Sequence, residues 1–278
     1  MKGQKHARLS VVLLPFSLSP FPFSLVILVL LFFLTSVVGV VTGSNSLITV
    51  PAMFEFGIDA KVAVATNMFG LTFMAVGGTL PFLGKGVIDR GRLPWLALLT
   101  LAGSALGALL VLVVPGRAMP LIISISMLAV ALFTLLRRKA GVIPPDVPPG
   151  RGAELGAYAL TFALGIYGGF FSGGYVTMLT AAYVALFRMT FVEAVSTTKI
   201  VNIFSSFVAT LVFMWRGLVD YRLGVLLGIA MFLGAFVGAR VSLKLNNTWL
   251  RRIFLATVII LAAKILLYDF LWKGVMKG

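Results

Sequence analysis

The sequence predicts an all-α polytopic membrane protein of about eight transmembrane helices, arranged as two homologous four-helix repeats with broken or re-entrant helices at the repeat interface. Three observations carry this expectation. The 278 residues are 60% hydrophobic and 11% charged, with a mean hydropathy of +1.09, whereas soluble domains carry about 25% charged residues. The long Leu, Val, Phe and Ile runs lack the period-2 alternation of a membrane barrel. A lipid-facing chain must pair its backbone groups internally, so helices remain. The chain also duplicates itself: adding 131 to a residue number in the first half lands, without a gap, on its counterpart in the second. Lys85-Gly86-Val87-Ile88-Asp89 becomes Arg216-Gly217-Leu218-Val219-Asp220, and Ala63-Val64-Ala65-Thr66-Asn67 becomes Ala194-Val195-Ser196-Thr197-Thr198. The register holds from Gly43/Gly174 through Thr49/Thr180 and Phe73/Phe204 to Ala108/Ala239. Such a duplication in an apolar chain marks a transporter built from two copies of one membrane unit, with its site where the copies meet.

The elements follow in order. Residues 1–22 read as a cytoplasmic or interfacial tail. Met1 to Arg8 is basic, but the apolar stretch behind it carries Pro15, Pro20 and Pro22 and no small-x-small site, unlike a cleaved signal peptide. A crossing takes about 20 apolar residues. Eight fit, near 23–42, 60–83, 93–114, 118–136, 153–171, 190–214, 222–243 and 249–271. Residues 23–136 form the first transmembrane repeat and 153–278 the second. Between them, 137–152 is a basic linker opened by Arg137-Arg138-Lys139, and Pro144, Pro145, Pro148 and Pro149 keep it from being helical. Two further apolar pieces, 46–56 and 175–187, are too short to cross. Each follows a break at a matching position, Gly43-Ser44-Asn45-Ser46 and Ser172-Gly173-Gly174-Tyr175. Short, glycine-interrupted segments in corresponding places of two halves point to a transport site. Each is either a re-entrant half-helix or the far half of a broken spanning helix.

Four crossings per unit would run the repeats in parallel. With the N-terminus inside, the cytoplasmic side then collects fourteen cations against seven outside, although the last outer loop holds four of the seven. The bias predicts both termini in the cytoplasm and a multi-pass protein of the inner, cytoplasmic membrane. It also accounts for the net charge of +15: the cations flank membrane spans, and nucleic acid is not expected as a partner.

There is no cysteine and the one histidine, His6, lies in the tail. This excludes thiol nucleophiles, disulfides, histidine-ligated metals and a buried histidine base; no catalytic residue, metal or cofactor is expected. Lys199 is the most informative residue. It sits about ten residues into the sixth crossing, where a lysine costs about 2.5–3.5 kcal/mol on insertion scales and should face an interior cavity. Thr198 and Asn202 share its side of the helix. A cation beside hydroxyl and amide donors suits an anion; the structural alternative is a bundle-holding pair with Glu193 or a carbonyl. The first repeat has Met68 at the equivalent place, while Thr66/Thr197 and Asn67/Thr198 keep polarity on both sides. The breaks offer a second device. A helix starting in mid-membrane points unpaired N–H groups and a positive dipole end into a cavity, with Ser44, Asn45, Ser46, Ser172 and Tyr175 as added donors. The alternative is glycines that only let helices approach. Asp89 and Asp220 each precede a new span and read as N-caps. Gly103/Gly107, Gly224/Gly228 and Gly234/Gly238 read as helix-packing pairs. Glu193 reads as a turn carboxylate rather than a proton carrier, and Lys264 and Asp269 as snorkelling groups.

These residues resemble the sulfite exporter TauE/SafE family of prokaryotic membrane permeases. The likeness lies in Gly39-Val40-Val41-Thr42-Gly43-Ser44-Asn45-Ser46-x4-Pro51, Ala63-x-x-Thr66-Asn67 and Gly86-x-x-Asp89. In the second half it lies in Gly165-x-x-Gly168-Gly169-x-x-Ser172-Gly173-Gly174, Ala194-x-x-Thr197-Thr198-Lys199-x-x-Asn202 and Gly217-x-x-Asp220. It covers nearly all of the chain past residue 23. It implies two four-helix units and transport of sulfite, sulfonates or other small, often sulfur-containing anions. The chain departs from the family in Gly43-Ser44-Asn45, where a glycine run is common, in Thr66-Asn67, where a Thr-Ser pair is common, and in Pro51, whose counterpart is Ala182. These departures bear on the substrate.

The resulting expectation is a secondary transporter that moves a small anion by alternating access around a midplane site. Its lining is Gly43, Ser44, Asn45, Thr66, Asn67, Ser172, Gly173, Gly174, Thr197, Thr198, Lys199 and Asn202. Its partners are the anion, the lipid bilayer and a coupling proton or cation. A passive anion channel is the alternative. A membrane enzyme or assembly factor ranks below both, because the spans hold no acid, base or metal-ligand cluster.

Overall fold

The computed structural model describes residues 22–43, 45–136 and 148–244, together with Arg252. Among these residues lie nine α-helices: α1 (Pro22–Thr42), α2 (Ser46–Glu55), α3 (Ala60–Thr79), α4 (Leu93–Val113), α5 (Met119–Leu136), α6 (Arg151–Phe170), α7 (Tyr175–Leu186), α8 (Phe191–Trp215) and α9 (Tyr221–Ser242). The tail, Ser44, most of the linker and the crossing expected at 249–271, with Lys264 and Asp269, fall outside the described residues. Five helices are long and apolar enough to cross a membrane: α1, α3 with its short extension to Phe82, α4, α8 and α9. α5 and α6 stand where the fourth and fifth crossings are expected.

Local chemistry explains where the helices start. Asp59 accepts from the Lys61 and Val62 amides in front of α3. Thr190 and Glu193 form a reciprocal capping box on α8, the arrangement that satisfies two orphan N–H groups at once. Glu193 is thereby a capping group rather than a partner of Lys199. Asp220 caps α9 through the Leu223 amide at 3.1 Å, as its position predicts. Asp89 differs: its carboxylate holds the Gly91 and Arg92 amides, so it caps the turn before α4 rather than α4 itself. Leu30, Leu34, Trp95, Leu98, Val113 and Trp215 point outward, while Ser, Thr and Asn side chains are buried. That distribution suits a lipid solvent.

Helix directions follow from the contacts. The carbonyls of Phe33 and Val37 meet Gly234 and Gly238, so α1 runs parallel to α9. Gly224 lies at Thr66 and Phe69, and Gly77 at Phe232, so α3 is parallel to α9 as well. In the other half, Gly103 and Gly107 meet Phe162 and Ile166, which sets α6 parallel to α4. Asp89 bonds to Thr197 and Ser104 to Ser205, which sets α8 parallel to α4. Thr72 touches Thr210 at 3.3 Å, while Gly78 lies by the Lys199 stem, so α3 and α8 are antiparallel. Thr49 on Asn67 and Thr180 on Thr198 fold α2 back along α3 and α7 back along α8.

Of the two forms left open for the short apolar pieces, these contacts favour the one that turns back, and the helix directions do not suit repeats run in parallel. α2 is ten residues long, about 15 Å or half the hydrocarbon core, and turns back instead of continuing α1. Lys61, Arg117, Arg216 and Arg222 come to one face. Lys85, Arg90, Arg92, Arg151, Arg188, Arg240 and Lys244 come to the other. Arg216 and Lys85, which the cation count groups on one side, are separated.

Candidate functional site

Both breaks interrupt helix. α1 stops at Thr42 and α6 at Phe170, and short helices restart at Ser46 and Tyr175. Gly43 and Gly174 have φ of 69° and 78°, a region open to glycine at little cost. The two breaks touch. The Ser46 and Ser172 hydroxyls are 2.6 Å apart, the Thr177 hydroxyl donates to the Thr42 carbonyl at 2.6 Å, and a Cβ on Gly43 would strike Val176 and Thr177. The Tyr167 hydroxyl donates to the Gly173 carbonyl at 2.6 Å, and Gly174 packs on Val130 of α5. The N-terminal ends of α2 and α7 thus meet between the long helices.

Asn67 closes this meeting point from α3. Its Nδ2 donates to Ser46 at 2.8 Å, and its Oδ1 accepts from Thr49 at 2.7 Å. In the second half Thr198 does less, with a 3.3 Å contact to Thr180 and a bond to the Val195 carbonyl. Asn45 donates from Nδ2 to Ser36 Oγ at 3.1 Å and to Met74 Sδ at 3.0 Å; its Oδ1 is buried without a partner.

Lys199 is 2% exposed. Its Nζ donates at 3.4 Å to the Gly39 carbonyl, near the end of α1. The described residues offer it no carboxylate within ion-pair distance, and the pairs that Arg92 makes with Asp89 and Glu154 lie elsewhere. The alternative pairing with Glu193 is therefore absent, and the carbonyl contact is long. An ammonium removed from water with so little compensation costs several kcal/mol. A Cβ added at Gly39 would lie 3.1 Å from both Asn45 Cβ and Met74 Cε, so Asn45 packs beside the glycine whose carbonyl Lys199 reaches.

The remaining expected residues divide. Asn202 is buried three residues along α8 from Lys199, and its carbonyl accepts from Ser206. Thr66 and Thr197 are also buried, but their hydroxyls accept from the Asp220 and Asp89 amides at 3.0 and 3.2 Å. Each holds the loop that precedes the other half's fourth helix, away from the breaks. Ser36, Thr49, Met74, Thr177 and the Gly39 carbonyl join the constellation, although the sequence does not mark them as lining. Thr49 carries a signal, its pairing with Thr180 in the duplication; Met74 reads in sequence as ordinary core. Among the described residues no cluster of His, Asp or Glu could hold a metal.

The family described as "Sulfite exporter TauE/SafE" matches residues 28–265. A "Probable membrane transporter protein ORF9" from Sinorhizobium sp. is 30% identical over 84% of this chain and 89% of its own length. The "Probable membrane transporter protein YfcA" of Escherichia coli K12 is 28% identical, covering 90% and 93%. A "Probable membrane transporter protein" of Haemophilus influenzae is 26% identical, covering 86% and 93%. No solved structure matches significantly.

Proposed function

The chain belongs to the sulfite exporter TauE/SafE family of membrane transporters, and from that premise we propose that it carries a small anion through a site where its two helix breaks meet. The observation that carries this reading is Lys199: a cation buried beside the breaks, with no carboxylate among the described residues to pair with it. The N-termini of α2 and α7 add partial positive charge at the same place. Asn45, Asn67, Ser172, Thr198 and Asn202 supply polar groups, with Gly43, Gly173 and Gly174 shaping the backbone. Thr66 and Thr197 act as loop latches in this reading. Sulfite, sulfonates and related anions fit such a site: compact, negative and rich in acceptors.

Alternating access is the mechanism we favour, with the halves as inverted copies. The Thr66–Asp220 and Thr197–Asp89 bonds are the same bond made twice, once toward each face. Two faces with equivalent latches suit a carrier that opens to each in turn. The face with seven described cations is assigned to the cytoplasm by the positive-inside bias, so α1 enters from the outer face. This reverses the expectation for the N-terminus.

The test is a thermal-shift series on purified protein with sulfite, sulfate, thiosulfate, sulfonates and carboxylates, because a ligand of the folded state raises apparent stability by mass action. At least one sulfur oxyanion should raise the melting temperature in a saturable way. Counterflow in proteoliposomes should follow with that anion. A flat response across the series would sink the anion site, and binding without counterflow would make it a channel.

A further inference from the structure

The orphaned end of the Asn45 side chain says more about the ligand than its charge does. Asn45 stands at the N-cap of α2, where an asparagine ordinarily accepts from the first backbone N–H groups of the helix. Here it makes no such bond. Its Nδ2 faces Ser36 and Met74 instead, and Oδ1 has no partner. A thioether sulfur only accepts, so Met74 fixes which end of the amide is nitrogen and which is the free oxygen. The residue is 4% exposed. A buried acceptor with nothing to accept from is costly and calls for a donor that arrives later. Lys199 bonds to the carbonyl of Gly39, the glycine against which Asn45 packs. Charge and empty acceptor therefore both border Gly39.

The geometry points to a substrate that is an anion carrying its own N–H or O–H donor: Lys199 takes the negative end and Asn45 Oδ1 accepts the hydrogen. This rests on the anion site proposed above. An anion with acceptors alone would leave Oδ1 unpaired in the bound state, and the site would reject it. Hydrogensulfite, amino- and hydroxysulfonates and sulfamate carry both features; sulfate dianion and simple alkanesulfonates carry only the charge.

Sulfamate and methanesulfonate make the test. They are close in size, bear the same charge, and differ in an NH2 against a CH3. Binding of each to full-length protein in detergent is measured by calorimetry, with wild type, Asn45→Leu and Lys199→Met. Wild type should bind sulfamate roughly ten-fold more tightly, the effect of one buried acceptor satisfied or left unmade. Asn45→Leu should bring the two affinities together, and Lys199→Met should weaken both alike. Equal affinities in wild type would overturn the inference while leaving the anion site standing, and would mean that water or Lys199 satisfies Oδ1. The wild-type comparison decides this even if Asn45→Leu fails to fold. If neither anion binds but sulfite does, sulfite is titrated across its second ionisation. Affinity that falls as hydrogensulfite disappears, and does so only with Asn45 present, supports the inference; any other profile overturns it. If no anion binds, the site itself is wrong.

Discussion

Lys199 is the residue whose removal should separate binding from folding. The first repeat already places a methionine, Met68, at the equivalent position, buried in the core of α3. Lys199→Met therefore substitutes a side chain the same helix type tolerates, and it relieves an uncompensated ammonium rather than breaking an ion pair. The variant should fold, with a melting temperature at or above that of wild type. Its anion affinity should fall about ten- to a hundred-fold, the loss of about 1.5–3 kcal/mol from a charge-assisted contact. Unchanged affinity would clear Lys199 of the role, and a misfolded variant would mean that the carbonyl contact to Gly39 holds the bundle together. Lys199 is legible in the sequence because a charge in mid-span is rare and expensive. Its partner is not. A backbone carbonyl has no sequence signature, and Gly39 looks like any other membrane glycine. Thr66 and Thr197 are polar and repeated, which the sequence shows; their bonds to distant loop amides appear only in three dimensions.

At the scale of elements, the glycines decide which helices touch. α4 approaches α6 so closely that a Cβ on Gly107 would collide with the Ile166 carbonyl, and α1 approaches α9 in the same way at Gly238 and the Val37 carbonyl. Backbone cannot move aside as a flexible side chain can. Gly107→Ala should therefore destabilise by about 1–3 kcal/mol, the usual range for overpacking. A Cβ added at Gly156, also on α6, would meet nothing within 4 Å. Gly156→Ala should be neutral or slightly stabilising, because alanine is the better helix former by about 0.5–1 kcal/mol. Thermal melts of the two variants in one detergent check the contrast; equal melting temperatures would mean that α4 and α6 do not pack at Gly107. The helix-packing role of these pairs is readable from spacing alone. Which helix each pair meets is not, because small-xxx-small spacing names a close approach but no partner. The positions of the breaks are readable from glycines and matching polar neighbours. Their direction is not, since a half-helix of about ten residues has the same composition whether it continues forward or turns back.

At the scale of the whole molecule, that direction decides the topology. With α2 turned back, α1 and α3 run in the same direction, while α6, parallel to α4, runs opposite to α1. The second unit then enters the membrane from the face opposite to the first. Counting crossings by hydropathy alone yields an even number and puts Lys85 and Arg216, repeat-equivalent residues, on one side. The contacts of α3 with α8 and of α4 with α6 put them on opposite sides. The absence of cysteine from the sequence makes this open to a clean experiment, since any introduced thiol is the only one present. Both positions are exposed, at the ends of loops that the Thr66 and Thr197 latches hold in equivalent ways. Lys85→Cys and Arg216→Cys should therefore fold alike and differ only in which side they face. In intact cells a membrane-impermeant maleimide should label Arg216→Cys, on the face assigned to the exterior, and should reach Lys85→Cys only after permeabilisation. The opposite order would keep the inverted arrangement and reverse its orientation in the membrane. Labelling of both residues from the same side would remove the inversion itself, and with it the reason for expecting one site to open alternately to two faces.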